Sequence, residues 1–427
     1  MKIITLVWSI GIGGTERGAV NYAIGYKKFG HDSRVIVLGE GYERYTDLQA
    51  ANVETTLICK SLKTKENIFN EFKIWQPEII HIHNYTDDIL LYINLIRNDH
   101  TKVVETNVFS RPNYSLNYQA VDLSMQLSNW GYWKYTRWMK GAKYTPEVAV
   151  VPYVVDSTKF IEPTRKEINN YLLSKNIPLS AFVVGRLGQA HPSKWDSKII
   201  DVIKNTIHTS NNIYYFFVGL PTDLKSLINK QSPFFNSRVI QIEKIEGDEN
   251  LSLYYHSLNC FAHISKIGES FGYVLAEVLL CKVPVISMLT PFHDNAQLEI
   301  IGNGFGGFCT ANSKNFINKI NLLHEDKVIN DVLKKNLNGW IVDRFSYEAI
   351  IPTQIKIYEE LLGNNKISKL NVDNTIKDNF KLFYNKEFII KFVTKIINTY
   401  HFLQLVQLSK KIRYKLYQSI YNNKSDC

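Results

Sequence analysis

The 22 residues from Ser265 to Ile286 constrain this chain most, because they place a polar turn, a short helix and a buried strand one after another. The turn carries Glu269 and Ser270. Apolar spacing predicts a helix from about Phe271 to Leu280, and Val283 to Ile286 is an apolar run broken only by Pro284. Glu269 and Glu277, eight residues apart, are separated by roughly 12 Å along a helix axis. Between them the unpaired backbone N–H groups near Phe271 and Gly272 form a positive helix end that favours an anion. Gly272 has no side chain and lets another group approach the backbone closely.

The same alternation runs along the chain. Ile3 to Trp8 reads as a strand, then come a glycine-rich turn through Gly11, Gly13, Gly14 and Gly18 and a helix to about Phe29. The glycines do not keep the dinucleotide-binding order, and the next strand, Arg34 to Leu38, ends without an acidic residue unless Glu40 serves. Further strands are expected at Glu78 to His83, Lys102 to Glu105 and Ala149 to Val155. A second series follows at Ala181 to Val184, Ile213 to Gly219, Arg238 to Ile242 and Asn259 to Ile264, with helices between, including Leu251 to Ser257. Strand and helix in strict succession predict parallel sheets. His81 and His83 fall on one face of their strand, either packed there or approaching a ligand from its C-terminal end.

At 427 residues the chain can build two cores of this kind. The net charge of +10 is concentrated at the end: residues 364–427 hold 12 Lys or Arg against 4 Asp or Glu, whereas 1–363 are nearly balanced. Cys59, Cys260, Cys281, Cys309 and Cys427 are odd in number and widely spaced, which argues for a reducing compartment and against a disulfide framework or zinc site. The first residues read as a strand and not a signal peptide, and no run approaches 18 apolar residues.

Four motifs in order give the chain a resemblance. Gly-Gly-Thr-Glu-Arg at 13–17, the Val151–Phe160 segment, Gly-Arg-Leu at 185–187 with Lys194, and the Glu269/Glu277 stretch resemble retaining glycosyltransferases of family 4 (group 1). The resemblance covers about residues 1–363. It implies a GT-B fold, two Rossmann-like doubly wound domains facing across a cleft, and the residues beyond it read as a helical C-terminal extension. The expected division is 1–160 for the acceptor side, 175–345 for the donor side, 346–363 for a helix crossing back, and 364–427 for a basic amphipathic tail. A linker rich in charges and Asn is expected between Asp156 and Leu179. By the same resemblance Arg186 and Lys194 hold the donor phosphates, Glu269 meets the donor sugar, and Glu277 meets the nucleotide ribose. Gly13, Gly14, Ser270, Phe271 and Gly272 complete the donor contacts, and His83 and Asn107 are the acceptor-side candidates. Asn107 stands where many members carry a histidine, which leaves no side-chain base there and fits a donor phosphate that assists the incoming hydroxyl. Two cations and a helix end take the place of a metal, and no metal or other cofactor is expected.

Two stretches stay open. Asn129 to Lys143 interleaves Trp and Tyr with Lys134, Arg137, Lys140 and Lys143, a pattern that packing ranks first to explain, then an anionic membrane, with nucleic acid a distant third. In the tail Ile389, Val393, Ile396, Tyr400 and Leu403 lie near helical spacing beside a Lys410, Lys411, Arg413, Lys415 cluster. This face fits an anionic membrane surface or, equally, a helical appendage packed on the body of the chain or on a second subunit. The expected activity is transfer of a sugar from a nucleotide-diphosphate donor to a glycan, lipid-linked or protein acceptor, with retention, in cell-surface polysaccharide or glycolipid synthesis. It would run in the cytoplasm, with the inner membrane face as a peripheral address and nucleic acid excluded as a partner. The alternatives are a nucleotide-sugar epimerase of the same fold and a non-catalytic carbohydrate-binding subunit.

Overall fold

The computed structural model of the protein describes residues 1–365 and 367, apart from 291, 292 and 303. The tail expected over 364–427 therefore lies almost wholly outside the described residues.

Seven parallel strands form the first sheet: β1 (Lys2–Val7), β2 (Asp32–Val37), β3 (Glu54–Leu57), β4 (Ile79–His83), β5 (Lys102–Thr106), β6 (Leu123–Gln126) and β7 (Glu147–Val150), in the order β3-β2-β1-β4-β5-β6-β7. The second sheet takes β8 (Phe182–Leu187), β9 (Ile213–Val218), β10 (Val239–Ile242), β11 (Cys260–His263), β13 (Val285–Met288) and β15 (Gly307–Thr310), in the order β10-β9-β8-β11-β13-β15. The two-residue strands β12 (Gly268–Glu269) and β14 (Asp294–Asn295) pair with each other beside it. Helices pack against both sheets, so their central strands are buried even where they carry polar residues: every residue of β4, Ile-Ile-His-Ile-His, and of β9, Ile-Tyr-Tyr-Phe-Phe-Val, is buried. The two Rossmann-like lobes of a GT-B fold are thus in place.

The helix Tyr347–Leu362 leaves the second lobe and packs on the first. Its Ser346 cap accepts from the Ala349 amide at 3.2 Å. Deeper in, Gln354 donates to the Tyr358 hydroxyl at 2.9 Å, Tyr358 meets Tyr26 at 3.0 Å, and Tyr26 meets His81 Nδ1 at 2.8 Å. The other ring nitrogen of His81 meets Thr106 at 2.7 Å. His81 is therefore a packed strand histidine with both nitrogens used.

Three boundaries differ from expectation. The strand expected to reach Val155 stops at Val150, because Pro152 has no N–H for the ladder and Val155 gives its own to Phe345 of the second lobe at 2.8 Å. The stretch between Asp156 and Leu179 is no simple linker: it holds a helix, Arg165–Ser174, with a full capping box between Thr164 and Glu167. β3 and β6 carry too much Thr, Ser, Glu and Gln to stand out as apolar runs.

No described helix is long and apolar enough to cross a membrane. The first helix, Gly14–Lys28, approaches the returning helix so closely at Gly25 that an added Cβ would lie 2.5 Å from Ile351 Cδ1 and 2.6 Å from its Cγ1. Gly25→Ala should therefore cost about 1–3 kcal/mol of stability through overpacking, read as a lower urea midpoint. An unchanged midpoint would show that the two helices part freely.

Candidate functional site

In a doubly wound sheet the crevice opens at the C-terminal strand ends where the strand order reverses. That point lies between β8 and β11 in the second lobe and between β1 and β4 in the first. The site residues expected from the sequence lie mostly at these ends.

Glu269 is the hub. Its carboxylate accepts from Lys194 Nζ at 3.0 Å and pairs with His263 Nε2 at 3.1 Å. His263 Nδ1 lies 3.0 Å from the Ser287 hydroxyl, so the ring serves as a neutral bridge, donating to the carboxylate and accepting from the serine. Burial, with the Arg186 charge adding to it, pushes the His263 pKa down to about 4. Burial alone would raise the Glu269 carboxyl, but Lys194, His263 and Arg186 outweigh it and bring it down to about 2. Glu269 is therefore an anion at neutral pH.

Arg186 lies deeper, only 2% exposed, between the Trp195 ring at 5.1 Å and the Phe261 ring at 5.9 Å. One terminal nitrogen donates to the Lys194 carbonyl at 2.8 Å, while Nε and Nη1 have no partner. Burial lowers its pKa to about 10, which leaves it charged. Buried guanidinium N–H groups without acceptors are rare, and anionic oxygens would satisfy them. Arg186 also fixes the turn that carries Lys194, a turn closed again by Trp195 donating to the Gln189 carbonyl at 3.0 Å. The eight-residue spacing between the two cations is spanned by this turn, and the Lys194 side chain, 30% exposed, is the one that faces the crevice.

The helix after Glu269 runs Tyr273–Leu280, two residues shorter than expected. Gly272 is its cap, at φ +99°, where an added Cβ would also sit 3.1 Å from Leu275 and 3.3 Å from the Glu269 Cβ. Ser270 turns away and donates to Asp294 at 2.9 Å, and Asp294 is ion-paired with Lys134 of the first lobe. The Phe271 ring is core, packed edge-on against Tyr153, Tyr273 and Phe345. Any part it plays at the site is through its backbone. Glu277, 4% exposed, accepts from the Tyr255 hydroxyl at 2.9 Å and is ion-paired with Arg17.

The first lobe meets this helix directly. Gly13 caps the helix Gly14–Lys28, and Gly14 leaves room for the Tyr273 ring, whose nearest carbon would be 3.7 Å from an added Cβ. Tyr273 donates to the Val154 carbonyl at 3.1 Å, and the Arg17 guanidinium lies over its ring. His83 stacks on Tyr153 with its Nδ1 3.4 Å from the hydroxyl and its Nε2 without a partner, and burial takes its pKa to about 3. Asn107 stands apart, its amide spent on the Arg111 carbonyl and N–H at 2.8 and 2.9 Å. It holds its own loop.

The aromatic and basic stretch at 129–143 is a packing element. Trp130, Trp133 and Trp138 are buried, and the start of the helix Asn129–Trp138 receives Glu299 of the second lobe on the amides of Asn129 and Trp130 at 2.9 and 3.0 Å. Glu299 thus spans the lobes. His263, Tyr255, Arg17 and Lys134 were not among the site residues expected from the sequence, although Lys134 and Arg17 lay in stretches already singled out. Arg17 belongs to the quoted Gly-Gly-Thr-Glu-Arg run and His263 lies two residues before the central stretch, so motif position could have found both.

Comparison with curated proteins finds no match. Residues 168–340 match the family model described as glycosyl transferases group 1. Among solved structures, a glycosyltransferase from Rickettsia africae superimposes with a TM-score of 0.68 at 16% identity, covering 85% of this chain and 99% of that one. Anabaena HepE, solved with UDP and glucose, gives 0.65 at 17%, covering 84% and 100%. WaaG, a glycosyltransferase involved in lipopolysaccharide biosynthesis, gives 0.57 at 14%, covering 82% and 98%. Residues 168–340 are thus similar to the glycosyl transferases group 1 family, in a chain whose two-lobed GT-B fold is that of these glycosyltransferases.

Proposed function

We propose that the chain transfers a sugar from a nucleoside-diphosphate donor to an acceptor hydroxyl, with the donor seated on the second lobe and the acceptor entering from the first. The observation that carries this reading is the union, at one strand-order reversal, of an ionised Glu269, the Lys194 ammonium and the unfilled guanidinium of Arg186. Breaking the bond from sugar to diphosphate leaves negative charge on a phosphate oxygen. Lys194, the two open nitrogens of Arg186 (Nε and Nη1) and the first amides of the helix Tyr273–Leu280 stabilise that charge without reorganising. Glu269 is fully ionised, so it donates no proton. Its role is to hold Lys194 in place and accept hydrogen bonds from sugar hydroxyls.

Retention follows from the resemblance to family 4 and suits this arrangement. With Asn107 committed to its loop and His83 a very weak base, the departing phosphate oxygen takes the acceptor proton on the same face. HepE is solved with UDP, which makes UDP-sugars the first donors to test, and the WaaG likeness favours surface-glycan or glycolipid acceptors.

Lys194→Ala and Glu269→Gln should each lower kcat by about 10²–10³ with the donor that wild type uses, while Asn107→Ala changes it little. A UDP-sugar panel read by thermal shift and then by product analysis tests the reading. Turnover of donor without any acceptor would turn it toward an epimerase, and binding without product toward a carbohydrate-binding subunit.

The same site predicts a pH response. His263 is held below its ordinary value, so between about pH 6.5 and its folded value of about 4 the unfolded chain binds a proton that the folded chain refuses. Stability therefore falls as pH drops through that window, with His81 and His83 acting in the same sense. His263→Gln should make the slope of unfolding free energy against pH shallower over this range, measured by urea titration. An unchanged slope would mean that the ring is not held neutral.

A further inference from the structure

The second lobe has another cavity, of about 370 Å³, at the opposite edge of its sheet. It lies beneath the N-terminal ends of β8, β9 and β11 and is roofed by the first turns of the helix Lys327–Phe345. Several polar groups on its wall are already engaged. Asn259 accepts from the Val183 amide at 2.7 Å, Asn212 donates to the Ser180 carbonyl at 2.6 Å, and His324 stands edge-on to Phe182.

Three groups are not engaged. Asn330 is 7% exposed, donates to the Leu323 carbonyl at 3.3 Å, and leaves its Oδ1 with no partner. Lys327 and Lys334 form no ion pair among the described residues, although both line the cavity. Lys334 is half-buried, with burial lowering its pKa and Arg165 adding to that, against the opposing pull of Asp331 and Cys260. Burial keeps the Cys260 thiol protonated, its pKa raised to about 12, so it supplies no counter-charge. A half-buried ammonium that feels the Asp331 carboxylate but forms no ion pair with it is open to an anion placed in the cavity. The helix end is not what would bind it, since Asp326 already takes the Ile329 amide at 3.0 Å. An orphaned buried acceptor calls for a hydroxyl, and the Asp331 carboxylate beside it calls for another. The volume falls in the range of about 300–1,000 Å³ that holds small molecules.

We propose that this cavity binds a small phosphorylated polyol of the sugar-phosphate class, its phosphate on Lys334 and Lys327 and its hydroxyls on Asn330 Oδ1 and Asp331. The ligand is an effector and not a second substrate. Phe182 lies in the cavity and Arg186 in the crevice, four residues along β8, and Asn259 and His263 bracket β11 in the same way, so roughly 13 Å of sheet separates the two places. The roofing helix offers the connection: its far end brings Arg344 and Phe345 to a cavity of about 210 Å³ between the lobes, where the Phe345 carbonyl takes the Val155 amide.

Titration calorimetry with glucose 6-phosphate, inorganic phosphate and glucose on wild type, Lys334→Gln and Lys327→Gln tests the site, and needs no transfer activity. Glucose 6-phosphate should bind wild type and weaken by about tenfold or more in Lys334→Gln, whose unliganded melting temperature should match wild type. Inorganic phosphate should bind more weakly and glucose not at all. No binding of glucose 6-phosphate to wild type, or equal binding to wild type and both variants, would overturn the proposal. Equal affinity for inorganic phosphate would overturn its polyol half. UDP included as competitor separates the two sites: displacement of glucose 6-phosphate by UDP would place it in the crevice instead.

Discussion

A carboxylate taken out of water must find a positive partner or give up its charge, and the second lobe is arranged around one that found its partners. Glu269 keeps its charge because Lys194 and His263 reach it from two different strand ends. The turn bearing Lys194 depends in turn on Arg186, which donates to its backbone from below. Removing Glu269 would leave the Lys194 ammonium and the Arg186 guanidinium without a counter-charge, so β8, β11 and the β12 turn are tied together by electrostatics as well as by the sheet. The parallel sheet supplies the meeting place, because every strand in it ends on the same edge.

The two lobes are joined by the same logic. Three carboxylates of the second lobe, Glu277, Asp294 and Glu299, are met by Arg17, Lys134 and the first amides of the helix Asn129–Trp138. Apolar contacts alone would let the lobes slide, since rings such as Phe271, Tyr153 and Phe345 pack in many registers. Charged contacts at fixed positions select one register. In this arrangement Glu277 faces Arg17, so a ribose that sought Glu277 would first have to compete with a guanidinium.

What could be read from the sequence was what repeats or what sits in a short motif. Apolar runs such as Ile213–Val218 announce buried parallel strands, and the helix Tyr347–Leu362 was readable to its ends because a serine cap and an apolar face mark it. The turn at Glu269 and the cations at Arg186 and Lys194 were legible as a pattern of residue types. Partners contributed from far along the chain were not. Nothing local ties Lys134 to Asp294, or Glu299 to the start of a helix 170 residues earlier, since only the folded topology brings them together. Asn107 failed for a related reason: an Asn at a strand end serves equally to bind a ligand or to close its own loop, and here it closes the loop.

Arg186 shows why the site is incomplete without a ligand. The crevice contains two cations and one anion, with His263 neutral, so it carries residual positive charge in a region shielded from water. Two guanidinium nitrogens there, Nε and Nη1, have no acceptor. A protein seldom leaves such groups buried and idle, because the cost of desolvating them is paid whether or not a partner arrives. A diphosphate answers both needs, charge and hydrogen bonds, and answers them best as its bridging bond breaks and its negative charge grows. A neutral sugar would answer neither. The arrangement therefore favours a charged leaving group over an uncharged glycan as the first occupant of the second lobe.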